Sequence, residues 1–200
     1  MKLHYAPTSP FVRKVMVLLH ETGTLDSVEI HNVATTPYAP SSDVQASNPL
    51  AKIPALERDD GPALYDSRVI CEYLDARAEA GLYAARWDSK VLEATADGMM
   101  DAAVLMTYEK RLRPEAQQYP EWIQAQLGKV LGACAALNAR WMSHLQGPLD
   151  MGQIAVGCAL SYLDFRHPDA GWRVGSETLA DWFKDFESRP SMQATRPPEG

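Results

Sequence analysis

Apolar residues recur along this chain with two different periods, and the change of period divides it. From Phe11 onward, Val12, Val15, Met16 and Leu19 fall at i, i+3, i+4 and i+7, one apolar face of a helix. Pro10 suits the first helical position, Ser9 the N-cap and Gly23 a left-handed stop. Residues 1–5 read as a short strand before this helix, and 28–33, which alternate apolar and polar, as a strand after it. The stretch 35–48 carries Pro37, Pro40 and a cluster of Ser, Asp and Asn, and reads as loop with at most a short helix. Residues 53–58 and 63–65 read as two strands joined by the hairpin signal Asp59-Asp60-Gly61-Pro62. Asp66-Ser67 then opens a helix with Val69, Ile70, Tyr73 and Leu74 on its apolar side.

Beyond residue 77 the strand period disappears. Residues 78–88 read as a connector, and the chain from Ser89 onward is helical in pattern and rich in Ala, Leu and Met. Breaks at Pro114, Pro120, Gly147-Pro148, Pro168 and Gly171 mark helices near 89–112, 121–145, 151–163 and 176–187, and the tail at 196–198 reads as extended. The expected organisation is an α/β domain over 1–77, a linker over 78–88 and an all-α domain over 89–200.

Composition narrows the function. The 200 residues are 46% hydrophobic and 22% charged, enough for a core without metals or disulfides. The formal net charge is −7 with no Lys or Arg run, which argues against nucleic acid and anionic membranes as partners. Cys71, Cys134 and Cys158 are odd in number and lack paired spacing, so reduced thiols in a cytoplasmic protein are expected. No leader pattern and no membrane-spanning apolar stretch is read. The five histidines lack metal-binding spacing, so no metal is expected, and neither a Gly-rich phosphate loop nor a G-x-S-x-G elbow occurs.

Three stretches, in this order and at this separation, carry a family resemblance: TSPFVRKV at the first helix, NPLAKIPAL at the third strand and LYDSRVICEYL at the last helix of the first half. Together they resemble the soluble glutathione transferases, and within them a bacterial Ser-Pro-Phe subgroup. CALSYLDFR and SRPSMQATRPP extend the resemblance to the end of the chain. It implies a thioredoxin-like N-terminal domain, an all-helical C-terminal domain, a glutathione site between them and a homodimer. It also implies glutathione as co-substrate and a small electrophile as its partner in a detoxifying conjugation.

On its own pattern Ser9 is a helix cap. The resemblance gives it a second role, donating a hydrogen bond to the glutathione sulfur. An alcohol is too weak a base to take the thiol proton, but it stabilises the thiolate together with the positive end of the helix. A free thiol titrates near 8.5, and each unit of reduction needs about 1.4 kcal/mol of preferential thiolate stabilisation. Tyr5 is the rival, with a core aromatic as its plain reading. No Cys opens the helix, which argues against disulfide exchange. Pro54 alone would be read as trans; as part of the KIPAL motif it implies a cis Ile53–Pro54 bond, with the Ile53 backbone pairing the tripeptide as an added strand. Lys52 would reach the glycyl carboxylate, Ser67 the γ-glutamyl carboxylate at a helix N-terminus, and Asp66 the γ-glutamyl amine. Phe11 completes the implied glutathione-binding set.

In the helical half, Met99, Met100, Met106 and Tyr108 are candidates to border the electrophile's pocket, although helix core is the plainer reading of each, and Asp101 is a candidate contact to the amine across a dimer. Asp150 and Gln153 read as an altered capping box. Two alternatives stand beside conjugation: glutathione-dependent peroxide or adduct reduction, and a non-catalytic glutathione-binding module.

Overall fold

A computed structural model of the chain describes residues 1–85 and 87–198. They fall into two compact units, one formed by Met1–Ala85 with the segment that begins at Pro190, the other ending at Arg189. The helical domain read as 89–200 therefore differs at its end, because the last segment packs with the first unit.

In the first unit, β1 (Lys2–Tyr5), α1 (Pro10–Glu21) and β2 (Glu29–Asn32) make the expected β-α-β. The next loop holds a short helix, α2 (Ser42–Ser47). Then come β3 (Ala55–Arg58), β4 (Gly61–Leu64) and α3 (Ser67–Ala78). The sheet order is β2-β1-β3-β4, with β1 parallel to β2 and β3 antiparallel to both its neighbours. The hairpin closes earlier than the sequence suggests: Arg58 pairs with Gly61, leaving Asp59-Asp60 as the turn. Pro62 thus sits in β4, an edge strand, where its missing N–H removes no ladder bond.

Helix α1 ends as its glycine requires. Gly23 has φ of +66°, and the N–H groups of Gly23 and Thr24 donate to the carbonyls of His20 and Leu19 at 3.2 and 3.0 Å. This pair of bonds is the Schellman arrangement. The helix is buried on more than its apolar face, since Arg13 and Lys14 are 4% and 0% exposed. The Arg13 Nη2 donates to the Met192 carbonyl at 2.9 Å and its Nε to Thr195 Oγ1 at 3.3 Å, which seats the short helix α9 (Pro190–Ala194) against α1.

The second unit holds α4 (Trp87–Leu112), α5 (Pro120–Arg140), α6 (Met142–Leu145), α7 (Met151–Arg166) and α8 (Glu177–Glu187). The single helix expected over 121–145 breaks at Trp141 into α5 and α6. Helix α7 is buried without interruption from Met151 to Leu163, as a helix apolar all round must be. Its cap is a polar knot. Asp150 accepts from the Gln153 N–H at 3.0 Å, from Ser89 Oγ at 2.5 Å and from His144 Nε2 at 2.6 Å. The Gln153 amide reaches the carbonyls of Pro148, His144 and Gly147 at 2.7 to 3.3 Å. The capping box is therefore half as expected: Asp150 caps, but Gln153 ties down the preceding loop carbonyls.

A Cβ on Gly152 would stand 2.7 Å from Leu92 Cβ and 3.1 Å from the Ser89 carbonyl oxygen, so the α4–α7 crossing depends on its absence. Gly152→Ala should lower stability by about 1–3 kcal/mol, read as a lower urea midpoint. An unchanged midpoint would mean that the two helices separate freely.

Candidate functional site

The pairing of β3 places three chain segments at one end of the sheet. Because β1 and β3 are antiparallel, with His4 opposite Ala55, the end of β1 lies beside the start of β3. Because β3 and β4 are antiparallel, with Leu56 opposite Leu64, the end of β4 lies there too. The end of β1 leads to Ser9 and α1, the start of β3 comes directly after Lys52, Ile53 and Pro54, and the end of β4 leads to Asp66, Ser67 and α3. Topology therefore brings together the three segments to which the sequence assigned the site.

Ser9 is the N-cap of α1 in extended conformation, and its Oγ accepts the Val12 N–H at 3.3 Å. A hydroxyl that accepts keeps its own proton to donate, so capping and anion binding are compatible. Phe11 is half-buried one residue into the helix. Tyr5, also half-buried, has its phenol pushed up by burial and so stays neutral.

The Ile53–Pro54 bond is cis, as is Tyr65–Asp66. Ile53 lies beyond the last paired residue of β3. Lys52 is exposed, and its carbonyl is held by Asn48 Nδ2 at 2.8 Å. Asn48, 2% exposed, also accepts the Leu50 N–H at 3.0 Å on its side chain and the Ala51 N–H at 2.8 Å on its backbone. It thereby holds Ala51 in the left-handed region, φ 53°, where a residue with a Cβ is disfavoured. Sequence reasoning missed Asn48; the signal was an Asn before Pro49 at the head of the motif, a side chain suited to such local bonds.

Asp66 caps α3, accepting the Arg68 N–H at 3.0 Å, and pairs with Arg68 through Nη2 at 2.9 Å and Nε at 3.3 Å. Partial burial works to raise its carboxyl, but the Arg68 bonds and the charge of buried Lys14 outweigh this and hold it below its ordinary value. Both members of the Asp66–Arg68 pair are more than half exposed, so the pair is worth about 0–1 kcal/mol and Asp66 can exchange partners cheaply. Ser67, the first residue of α3, is 1% exposed.

The face of the sheet beneath α2 is polar. Glu57 Oε1 lies 2.8 Å from His4 Nε2 and 2.9 Å from Ser47 Oγ, and Oε2 lies 2.9 Å from Lys2 Nζ. Desolvation alone would raise the Glu57 carboxyl, but these bonds prevail and lower it to about 2. Ionised Glu57 only accepts, so His4 Nε2 carries a proton. Through Ser47 the cluster ties α2, and with it the approach to Asn48, onto the strands.

In the helical unit, Met99, Met100 and Met106 are at most 2% exposed and belong to its core, while Tyr108 is 37% exposed. The cysteines are all buried, and burial pushes the Cys134 thiol up to about 12. Among the described residues no group of three or more His, Cys, Asp or Glu side chains is arranged to hold a metal. No helix among them is long and apolar enough to cross a membrane.

Two family models match the chain, the glutathione S-transferase N-terminal domain over residues 8–77 and the C-terminal domain over 120–185. The uncharacterized GST-like protein YibF of Escherichia coli K12 is 32% identical over 206 residues, covering 100% of both chains. The chain belongs to the glutathione S-transferase family. A transferase family member of Pseudomonas fluorescens Pf-5, solved with bound glutathione, is 45% identical, with a TM-score of 0.92 and 98% of both chains covered. A second structure of a family member from that organism, holding S-(propanoic acid)-glutathione, is 44% identical, with a TM-score of 0.87, covering 99% of this chain and 100% of that one. The fold is thus a thioredoxin-like unit with a helical transferase unit.

The Glu57 cluster makes a prediction about pH. Its folded-state carboxyl lies below the unfolded one, so its contribution is present above about 4.5 and is lost as pH falls toward about 2. Urea titrations of wild type and Glu57→Gln should show a stability difference at pH 6 that shrinks across this window. A difference constant down to pH 2 would remove Glu57 as its source.

Proposed function

We propose that the protein is a glutathione transferase that joins the glutathione thiolate to a small electrophile. The observation that carries this reading is Ser9: it caps α1 as an acceptor while its own proton stays available, at a helix N-terminus beside the cis Ile53–Pro54 turn. The hydroxyl donates to the sulfur, and with the helix dipole it favours thiolate over thiol. The Ile53 backbone pairs with the cysteinyl residue, Lys52 meets the glycyl carboxylate, and Phe11 lies beside the ligand. Ser67 and the start of α3 take the γ-glutamyl carboxylate, and ionised Asp66 takes the amine, exchanging Arg68 for it. Much of the rate then comes from positioning.

The relatives support this reading. The Pseudomonas structures hold glutathione and a glutathione thioether, the latter the kind of compound that conjugation makes. The absence of a Cys at the start of α1 weighs against thiol exchange. In the same reading the protein is a cytoplasmic, detoxifying member of the bacterial Ser-Pro-Phe subgroup. In that reading it also assembles as a homodimer, as the family resemblance implies.

Ser9→Ala should reduce kcat about 10–100-fold, the worth of one hydrogen bond to a charged group. The KM for glutathione should change less, and the absorbance titration of bound thiolate should move to higher pH. If rate and titration are both unmoved, Ser9 is only a cap.

Glutathione affinity, read by calorimetry, tests the other half of the site. Asp66→Asn should weaken binding about 10-fold or more through loss of the charged partner of the amine. Equal affinity would take Asp66 out of the site.

A further inference from the structure

The residue that closes the first turn of α1 on Ser9 is also tied, through its side chain, to the segment that begins at Pro190. The Arg13 N–H donates to the Ser9 carbonyl at 3.0 Å, one residue after the Val12 N–H meets Ser9 Oγ at 3.3 Å. The Arg13 guanidinium is held at two points, Nη2 on the Met192 carbonyl at 2.9 Å and Nε on Thr195 Oγ1 at 3.3 Å. Those acceptors are themselves in place. Thr195 Oγ1 donates to the Ser191 carbonyl at 2.8 Å, and Ser191 and Met192 are 5% and 0% exposed. A second tie holds the other end of α1, where Ser191 Oγ donates to Glu21 Oε1 at 2.5 Å.

Packing alone does not ask for an arginine at this position. Arg13 is buried, and a buried guanidinium is costly unless its donors are bonded. An aliphatic side chain would seat α9 on α1 through area alone, without that cost. What the guanidinium adds is direction. Its rigid planar fork meets its acceptors in one orientation, whereas apolar contact lets two helices slide. The tie is mutual: it places α9, and it places Arg13.

The first turn is where α1 needs such a tie. The leading N–H groups of a helix lack intrahelical partners, and chain ends of this kind open most readily. Ser9 is half-buried just before that turn. Its proposed bond to sulfur depends on placement, since a misplacement of about 1 Å can cost on the order of 100-fold in rate.

We propose that Arg13 is a positioning residue for Ser9: braced on Met192 and Thr195, it sets the first turn of α1, so that the segment from Pro190 fixes where the Ser9 hydroxyl stands. This rests on the transferase reading above, in which that hydroxyl donates to the glutathione sulfur. Arg13 acts through its backbone bond to Ser9 and not on the ligand. Glu21 is twelve residues from Ser9 along α1, about 18 Å at the helical rise, so its tie to Ser191 holds the helix without placing the hydroxyl.

Three variants test this. Thr195→Val removes the acceptor of Arg13 Nε, and Arg13→Lys keeps the charge but loses the fork. Ser191→Ala cuts the tie to Glu21 and serves as the control for general loosening. Glutathione bound to each is titrated by thiolate absorbance, with urea midpoints measured alongside. Thr195→Val and Arg13→Lys should both move the titration to higher pH by about half a unit or more, a roughly threefold loss of thiolate preference. Glutathione affinity by calorimetry should stay within about threefold. Ser191→Ala should lower the urea midpoint and leave the titration at its wild-type pH. An unmoved titration in either Arg13→Lys or Thr195→Val, or an equal move in Ser191→Ala, overturns the proposal; should Arg13→Lys not fold, Thr195→Val decides alone. Ser9→Ala, run in parallel, separates the two readings. If it moves the titration while the other two do not, the transferase reading stands and this inference falls. If it moves nothing, the transferase reading falls and amide hydrogen exchange decides the rest. Exchange at residues 12 and 13 that rises at least about threefold more than in the last turn of α1, in Arg13→Lys and Thr195→Val, keeps Arg13 as the brace of the first turn. A uniform rise, or none, removes it.

Discussion

The antiparallel pairing of β3 with both β1 and β4 is the constraint on which the candidate site depends. One central strand, running against both neighbours, forces the end of β1, its own beginning and the end of β4 to one edge. Two of those ends feed helix starts and the third adjoins the cis proline. Helix N-termini carry unsatisfied N–H groups and a positive partial charge, so two of them at one sheet edge make a setting for an anionic peptide. No side chain has to be placed accurately for this; the ladder register does it.

Around that edge the protein spends polar groups on rigidity. Asn48 ties the turn before Ile53 to itself, and Glu57, His4, Ser47 and Lys2 pin α2 to the sheet. Each bond is modest. Together they fix a loop that has few apolar contacts of its own. On the other side, α1 is held by the C-terminal segment through Arg13, whose donors meet the Met192 carbonyl and the Thr195 hydroxyl at the end of α9. The favourable position of a cation at a helix C-terminus makes that arrangement stable even though Arg13 is buried.

The helical unit is built on a different principle. Helix α7 is enclosed on every side, so its polar needs concentrate at its ends. At the N-terminus one carboxylate, Asp150, accepts from a backbone amide, a serine and a histidine, and the knot satisfies itself. At the C-terminus the Arg166 guanidinium lies over the Phe165 ring, 3.9 Å from its centroid.

Local chemistry was legible in the sequence wherever it acts over a few residues. The Ser9 cap, the Gly23 stop, the Asp66 cap and the succession of strands and helices in the first unit all derive from patterns within a turn or two of chain. The candidate residues Ser9, Ile53, Asp66 and Ser67 follow from the family resemblance of the stretches that carry them; by local pattern alone Ser9 and Asp66 read as helix caps and Pro54 as trans. Long-range partnership was not legible. Nothing near Lys14 announces that it is fully buried and acts on Asp66, nor does anything near Glu57 announce that Lys2, His4 and Ser47 will close on it. Burial is a property of what packs from elsewhere in the chain, and a charge's partner is chosen by distance in space. Periodicity records neither, so these assignments belong to the packed molecule alone.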